Sequence, residues 1–148
     1  MQTIIDKFEK LLAENLEYFE ITDISILEKK ISDKKWSKKE ILGHLVDSSI
    51  HNLIRFTEIN YVEKPYIYRT YNQNDLVKIN QYQEINIEEL VELWLSINKQ
   101  ILRLFKSVND ENLEYKILLN DNSTINLRYL MTDFVDHLEH HINQIKIN

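Results

Sequence analysis

The chain has 148 residues, a single Gly, a single Pro, no Cys, and 24 acidic against 18 basic residues for a net charge of −6. That length suits one domain, spanning 1–148, with a sizeable core, and the scarcity of turn residues disfavours all-β folds. The acidic, well-mixed charge argues against broad electrostatic binding to nucleic acid or an anionic membrane, and the lack of Cys excludes disulfides, thiolate–zinc sites and a cysteine nucleophile.

In chain order, residues 3–20 read as a first long helix. Ile4, Ile5, Phe8, Leu11, Leu12, Leu16 and Phe19 recur at helical spacing with charges between them. Acids throughout this stretch leave no signal-peptide pattern, and no apolar run is long enough to span a bilayer. A cytoplasmic protein is therefore expected. Residues 21–36 hold at most a short helical turn around 25–31. Ser37 and Glu40 form an S-x-x-E capping box ahead of an apolar run, so a second long helix starts there and continues to about Asn60.

Residues 61–85 break the pattern. They contain the only proline, Pro65, and the tyrosines Tyr61, Tyr66, Tyr68, Tyr71 and Tyr82. They read as a long ordered crossover with one short helix near 75–79, and crossovers of this length in compact domains are often functional. Tyr66, Tyr68 and Tyr71 are the candidates to line a binding pocket. Asn86 and Glu89 cap a third long helix over 87–108. Residues 109–125 form a connection with a small hairpin around Asn120–Asn122, and Asn126 caps a fourth long helix, 127–146, whose inward stripe includes Phe134, Leu138, His141 and Ile145. The expectation is an all-α four-helix bundle, with the long crossover letting the second and third long helices run parallel.

Chemistry concentrates in three histidines. His137 and His141 are four residues apart, about one turn, and project from one face of the fourth long helix. His44 borders the apolar face of the second and shares a stripe with Ser48, His51 and Arg55. If the helices face each other, three imidazoles converge and leave positions open for water or substrate, as in a catalytic metal site. An inward histidine is also commonly a hydrogen-bonded core residue, and a short HxxxH motif alone has many false positives. His140, rotated about 100° from His141, and His51 are read as flanking residues. Asp47 and Asp133 each lie within a turn of a candidate ligand; either orients an imidazole or faces solvent. Gly43, costly inside a helix, reads as a place where another backbone approaches beside His44.

With these residues in place, the chain resembles the DinB-like superfamily, in the branch of metal-dependent hydrolases and bacillithiol-type S-transferases. The resemblance covers nearly the whole chain and is carried by WSKKEILGHLVDS…RF at 36–56 and DHLEHHINQI at 136–145. The segment YNQNDL at 71–76 is similar but departs from the family pattern, with Asn72 and Asn74 in place of acids and Leu76 where an aromatic is common. The resemblance implies a divalent transition metal, zinc or nickel first, held by His44, His137 and His141 with water completing the shell. It also implies a small-molecule substrate and frequently a homodimer. Family chemistry spans thiol transfer and thiol-dependent isomerisation. The expected activity is a metal-dependent enzyme that activates a low-molecular-weight thiol for transfer to an electrophile. The alternatives are hydrolysis by activated water and a non-catalytic metal-binding bundle.

Overall fold

The computed structural model describes residues 1–147. In chain order they form α1 (Gln2–Ile21), α2 (Ile24–Glu28), α3 (Lys38–Glu58), β1 (Tyr66–Ile67), α4 (Gln73–Asn80), α5 (Ile87–Ser107), β2 (Lys116–Leu118), β3 (Thr124–Asn126) and α6 (Leu127–Lys146). The four long helices fall where periodicity places them, and each long helix after the first starts at a side-chain cap. Ser37 accepts from the Glu40 amide while the Glu40 carboxylate takes the Ser37 amide, completing the capping box. Asn86 accepts from the amides of Glu88 and Glu89, and Asn126 from that of Tyr129. These bonds satisfy amides that a helix start otherwise leaves unpaired.

One phenylalanine from each long helix builds a core layer. Phe8, Phe56, Phe105 and Phe134 are buried, with ring centroids 5.0–6.2 Å apart in tilted and edge-on pairs. Such geometries are the favourable ones for aromatic rings.

Paired contacts fix the helix directions. Ser49 meets Asn98 and Phe56 meets Phe105, so α3 and α5 run parallel, as the long crossover permits. Phe8 meets Phe134 and Tyr18 reaches the Ile145 carbonyl, so α1 and α6 are also parallel. Phe8 meets Phe105 while Phe19 meets Trp94, which sets the two pairs antiparallel to each other.

The crossover and the 109–125 connection are joined by a small sheet. β2 and β3 form the expected hairpin, with Ile117 opposite Ile125, and Asn122 takes the left-handed conformation (φ 65°) that asparagine tolerates in its turn. β1 adds alongside β2 in parallel, with Tyr66 opposite Ile117. Two residues are too short for a strand period, and this third strand was not expected from sequence. Among the described residues no helix is long and apolar enough to cross a membrane.

Candidate metal centre

The capping box fixes where α3 begins, and His44 follows two turns later, fully buried where α3 faces α6. Across the interface stand His137 and His141, both half-buried. The His44 ring is 5.3 Å from that of His137 and 4.6 Å from that of His141, and the latter two are 4.5 Å apart. One nitrogen from each lies within 4.8 Å of the other two, a spread that one ion can bridge with small ring rotations. The buried stripe of α6 runs through Leu138 and Ile142, not through His141. His141 therefore sits at the edge of the core, which leaves the centre accessible from one side.

Both ring nitrogens of His44 are buried and have no hydrogen-bond partner. Among the described residues only two other buried side-chain atoms share that state, Asp47 Oδ2 and Trp94 Nε1. Leaving a buried polar group unsatisfied costs about 1–3 kcal/mol. One nitrogen of this ring lies within reach of the other two imidazoles, which fits a ligand better than a core packing residue.

Burial keeps all three rings neutral at pH 7. It drives His44 down to about 3, helped by His141 and His137. It drives His137 down to about 4, helped by His141 and His140. It lowers His141 too, against the opposing bond from Gln144. A neutral imidazole offers a lone pair, which is the form that binds metal. His141 Nδ1 is 2.9 Å from Gln144 Oε1. An amide oxygen accepts, so Nδ1 donates and Nε2 carries the lone pair. Sequence reasoning missed Gln144, although its position three residues after His141 places it on the same helix face. It also missed Trp36, whose ring lies 5.1 Å from His44 and closes that side.

The other candidate residues take varied places. Asp47 is engaged away from the triad: its Oδ1 accepts from the Tyr82 hydroxyl (2.5 Å) and from Asn80 (2.9 Å). With both His44 nitrogens unpartnered, Asp47 neither orients that imidazole nor faces solvent, but is buried against Tyr82. Burial raises the Asp47 pKa, partly offset by those two bonds and by His51. Asp133 is exposed, the solvent-facing alternative. His140 is exposed at the flank, with its ring 5.0 Å from that of His141. His51 Nδ1 donates to its own helix at the Asp47 carbonyl, 2.9 Å away, and the ring stacks on Tyr71 at 4.2 Å.

Of the three crossover tyrosines, Tyr71 stacks on His51, two turns beyond His44 on α3. Tyr68 lies under the Arg55 guanidinium, 4.1 Å from its ring centre. Tyr66 is drawn into the core by β1 and bonds Glu58, 14 residues or about 21 Å of helix beyond His44. The expectation that Tyr66 lines the pocket mouth is therefore corrected. Gly43 faces the ring of Tyr82, not another backbone. A Cβ there would lie 2.1 Å from that ring.

A helical bundle with two parallel helix pairs and a three-histidine centre is the class that fold and site define. The chain belongs to the DinB superfamily, which it matches over residues 7–145. No curated protein matches the sequence. Among solved structures it is similar to YfiT from Bacillus subtilis, a probable metal-dependent hydrolase with an unusual four-helix bundle topology. That match has 20% identity and a TM-score of 0.85, over 98% of this chain and 83% of that one. It is also similar to the mycothiol-dependent maleylpyruvate isomerase, at 10% identity and TM-score 0.73, over 97% of this chain and 60% of that one. A histidine-to-alanine variant of that isomerase matches at 9% identity and TM-score 0.77. At these identities the likeness establishes the fold.

Proposed function

We propose that this chain is a divalent-metal-dependent enzyme that activates a low-molecular-weight thiol for transfer to an electrophilic small molecule. The observation that carries the reading is the convergence of three neutral imidazoles, one of them with two buried, unpartnered nitrogens. His44, His137 and His141 would hold the ion, zinc or nickel first, since imidazole suits both. Such an ion would lower the pKa of a thiol or water beside it, the chemistry that makes a nucleophile available at neutral pH. Gln144 holds His141 in the tautomer that presents Nε2. Trp36 shields the His44 side from water, and the half-buried edge of α6 admits the substrate. The chain has no cysteine, so the thiol must come from solution. We place the activity in the cytoplasm and, by analogy with the family, in a homodimer.

Hydrolysis is the second reading, favoured by the likeness to YfiT. It needs a base for water, and the nearest buried carboxylate, Asp47, is held by Tyr82 and Asn80.

The test is metal analysis of tag-free protein, followed by thiol-transfer assays with several thiols, with and without the metal found. One bound ion per chain and turnover that needs both ion and thiol support the reading. Full turnover with water alone selects hydrolysis. A protein that takes up no divalent ion overturns both.

A further inference from the structure

We propose that the cleft beside the triad binds an anionic small molecule, so that a substrate of this centre carries negative charge. The role in turnover rests on the catalytic reading above; the binding itself does not need the metal.

The cleft, about 1230 Å³, lies between α2, the 29–38 segment, the start of α4 and the last turns of α6. It meets the triad through two of its walls. Trp36 packs on His44, and Gln144 bonds His141. A molecule seated in it therefore lies against the side chains that orient two of the three imidazoles.

Its charge runs against that of the chain. Four lysines line it, Lys29, Lys34, Lys35 and Lys38, and no Asp or Glu does, in a protein with a net charge of −6. Two nearby acids are committed to other lysines, and Asp23 accepts from Ser25. Glu28 pairs with the buried Lys39, and Glu40 pairs with Lys30 while closing the capping box. Asp33 is exposed and does not line the cleft. Among the described residues none of the four lining lysines is in an ion pair, and only Lys38 has a polar contact, 3.5 Å from the Tyr18 hydroxyl. Four unpaired cations around a concave site focus potential and raise the local concentration of anions. Ile26 and Ile31, both exposed, add an apolar wall. The fitting ligand has carboxylate or phosphate groups at one end and an apolar or reactive body at the other. Such groups also occur on lipids, but continuity with Trp36 and Gln144 favours a free molecule that reaches the centre.

The experiment titrates the full chain, metal-free and metal-loaded, with succinate, inorganic phosphate and the neutral succinamide. Calorimetry and tryptophan fluorescence report binding. Trp36 lies in the cleft, while Trp94 is fully buried and gives a constant background. Succinate or phosphate should bind at least about tenfold more tightly than succinamide and weaken with added salt. Lys34→Glu with Lys35→Glu should lower that affinity about tenfold or more while leaving metal stoichiometry unchanged. Equal binding of succinamide, an unaffected double variant, or no binding of either anion overturns the proposal. So does capture by phosphatidylglycerol vesicles without binding of the free anions. Anion binding by a protein that takes up no ion leaves this inference standing and removes the catalytic one. One ion per chain without anion binding does the reverse.

Discussion

Gln144 Oε1 lies 2.9 Å from His141 Nδ1 and so decides which nitrogen His141 turns toward His44 and His137. Without that acceptor, the ring is free to rotate or to put its proton on Nε2, and the lone pair leaves the centre. Partners of metal-binding imidazoles typically contribute 10–100-fold in affinity.

Gln144→Leu should therefore weaken divalent-ion binding by about 10–100-fold, with helix content unchanged because the site is near the end of α6. Gln144→Glu should restore binding, since a carboxylate accepts the same proton more strongly. Competition against a chelator of known affinity reads both. If the Leu variant binds as tightly as the parent, Gln144 does not orient His141.

The low pKa values of the buried histidines imply a pH dependence for metal-free stability. The unfolded chain protonates His44 near 6.5 and the folded chain only near 3; for His137 the folded value is near 4. Between those values the unfolded state holds more protons, so stability rises with pH. The contribution is complete above about pH 6.5 and is lost on acidification, at up to about 1.4 kcal/mol per pH unit for each imidazole. Urea unfolding of metal-free protein at several pH values from 4 to 7 should show this slope, and His44→Gln should reduce it, leaving the share of His137. Parallel profiles for parent and variant would remove His44 as the cause.

Much of this architecture is legible in sequence because the signals are local. Ser37, Asn86 and Asn126 are cap residues ahead of periodic apolar runs, and the helices start at each of them. The triad is legible for the same reason, since one turn separates His137 from His141. What sequence does not carry is the partner of each side chain across the fold. Asp47 is one turn from His44, yet it turns to Tyr82, 35 residues away. Tyr66 and Tyr71 share a crossover, but strand pairing draws one into the core and leaves the other over His51. Such choices depend on long-range packing, which spacing along the chain does not encode.

Gly43 offers a sharp test of that packing. Tyr82 is buried, and a methyl at position 43 would overlap its ring at 2.1–2.7 Å. Helix propensity alone favours Gly43→Ala by about 1 kcal/mol. Displacing a packed ring typically costs about 1–3 kcal/mol, and here it also disturbs the bond from Tyr82 to Asp47. The expected outcome is net destabilisation, measured by chemical denaturation, with part of the loss recovered in Gly43→Ala combined with Tyr82→Leu. An increase in stability from the single substitution would show that Tyr82 moves aside freely.

His140 and His141 are adjacent in sequence and 5.0 Å apart by ring centre, yet only His141 faces His44 and His137. Alanine at His44, His137 or His141 should each abolish tight ion binding and, with it, turnover, since two remaining imidazoles hold a divalent ion weakly. Alanine is the best helix former, so α3 and α6 should persist, which circular dichroism of each variant checks. Removing His44 also removes two unpartnered buried nitrogens, so the metal-free His44→Ala protein should lose less stability than a cavity of that size predicts. His140→Ala should keep one ion per chain and turnover within about threefold of the parent, because that ring is exposed and lies outside the triad. Metal analysis and thiol-dependent turnover across the four variants separate the roles. Loss of the ion in His140→Ala, or its retention in His44→Ala, would mean that the centre is built from a different set of ligands.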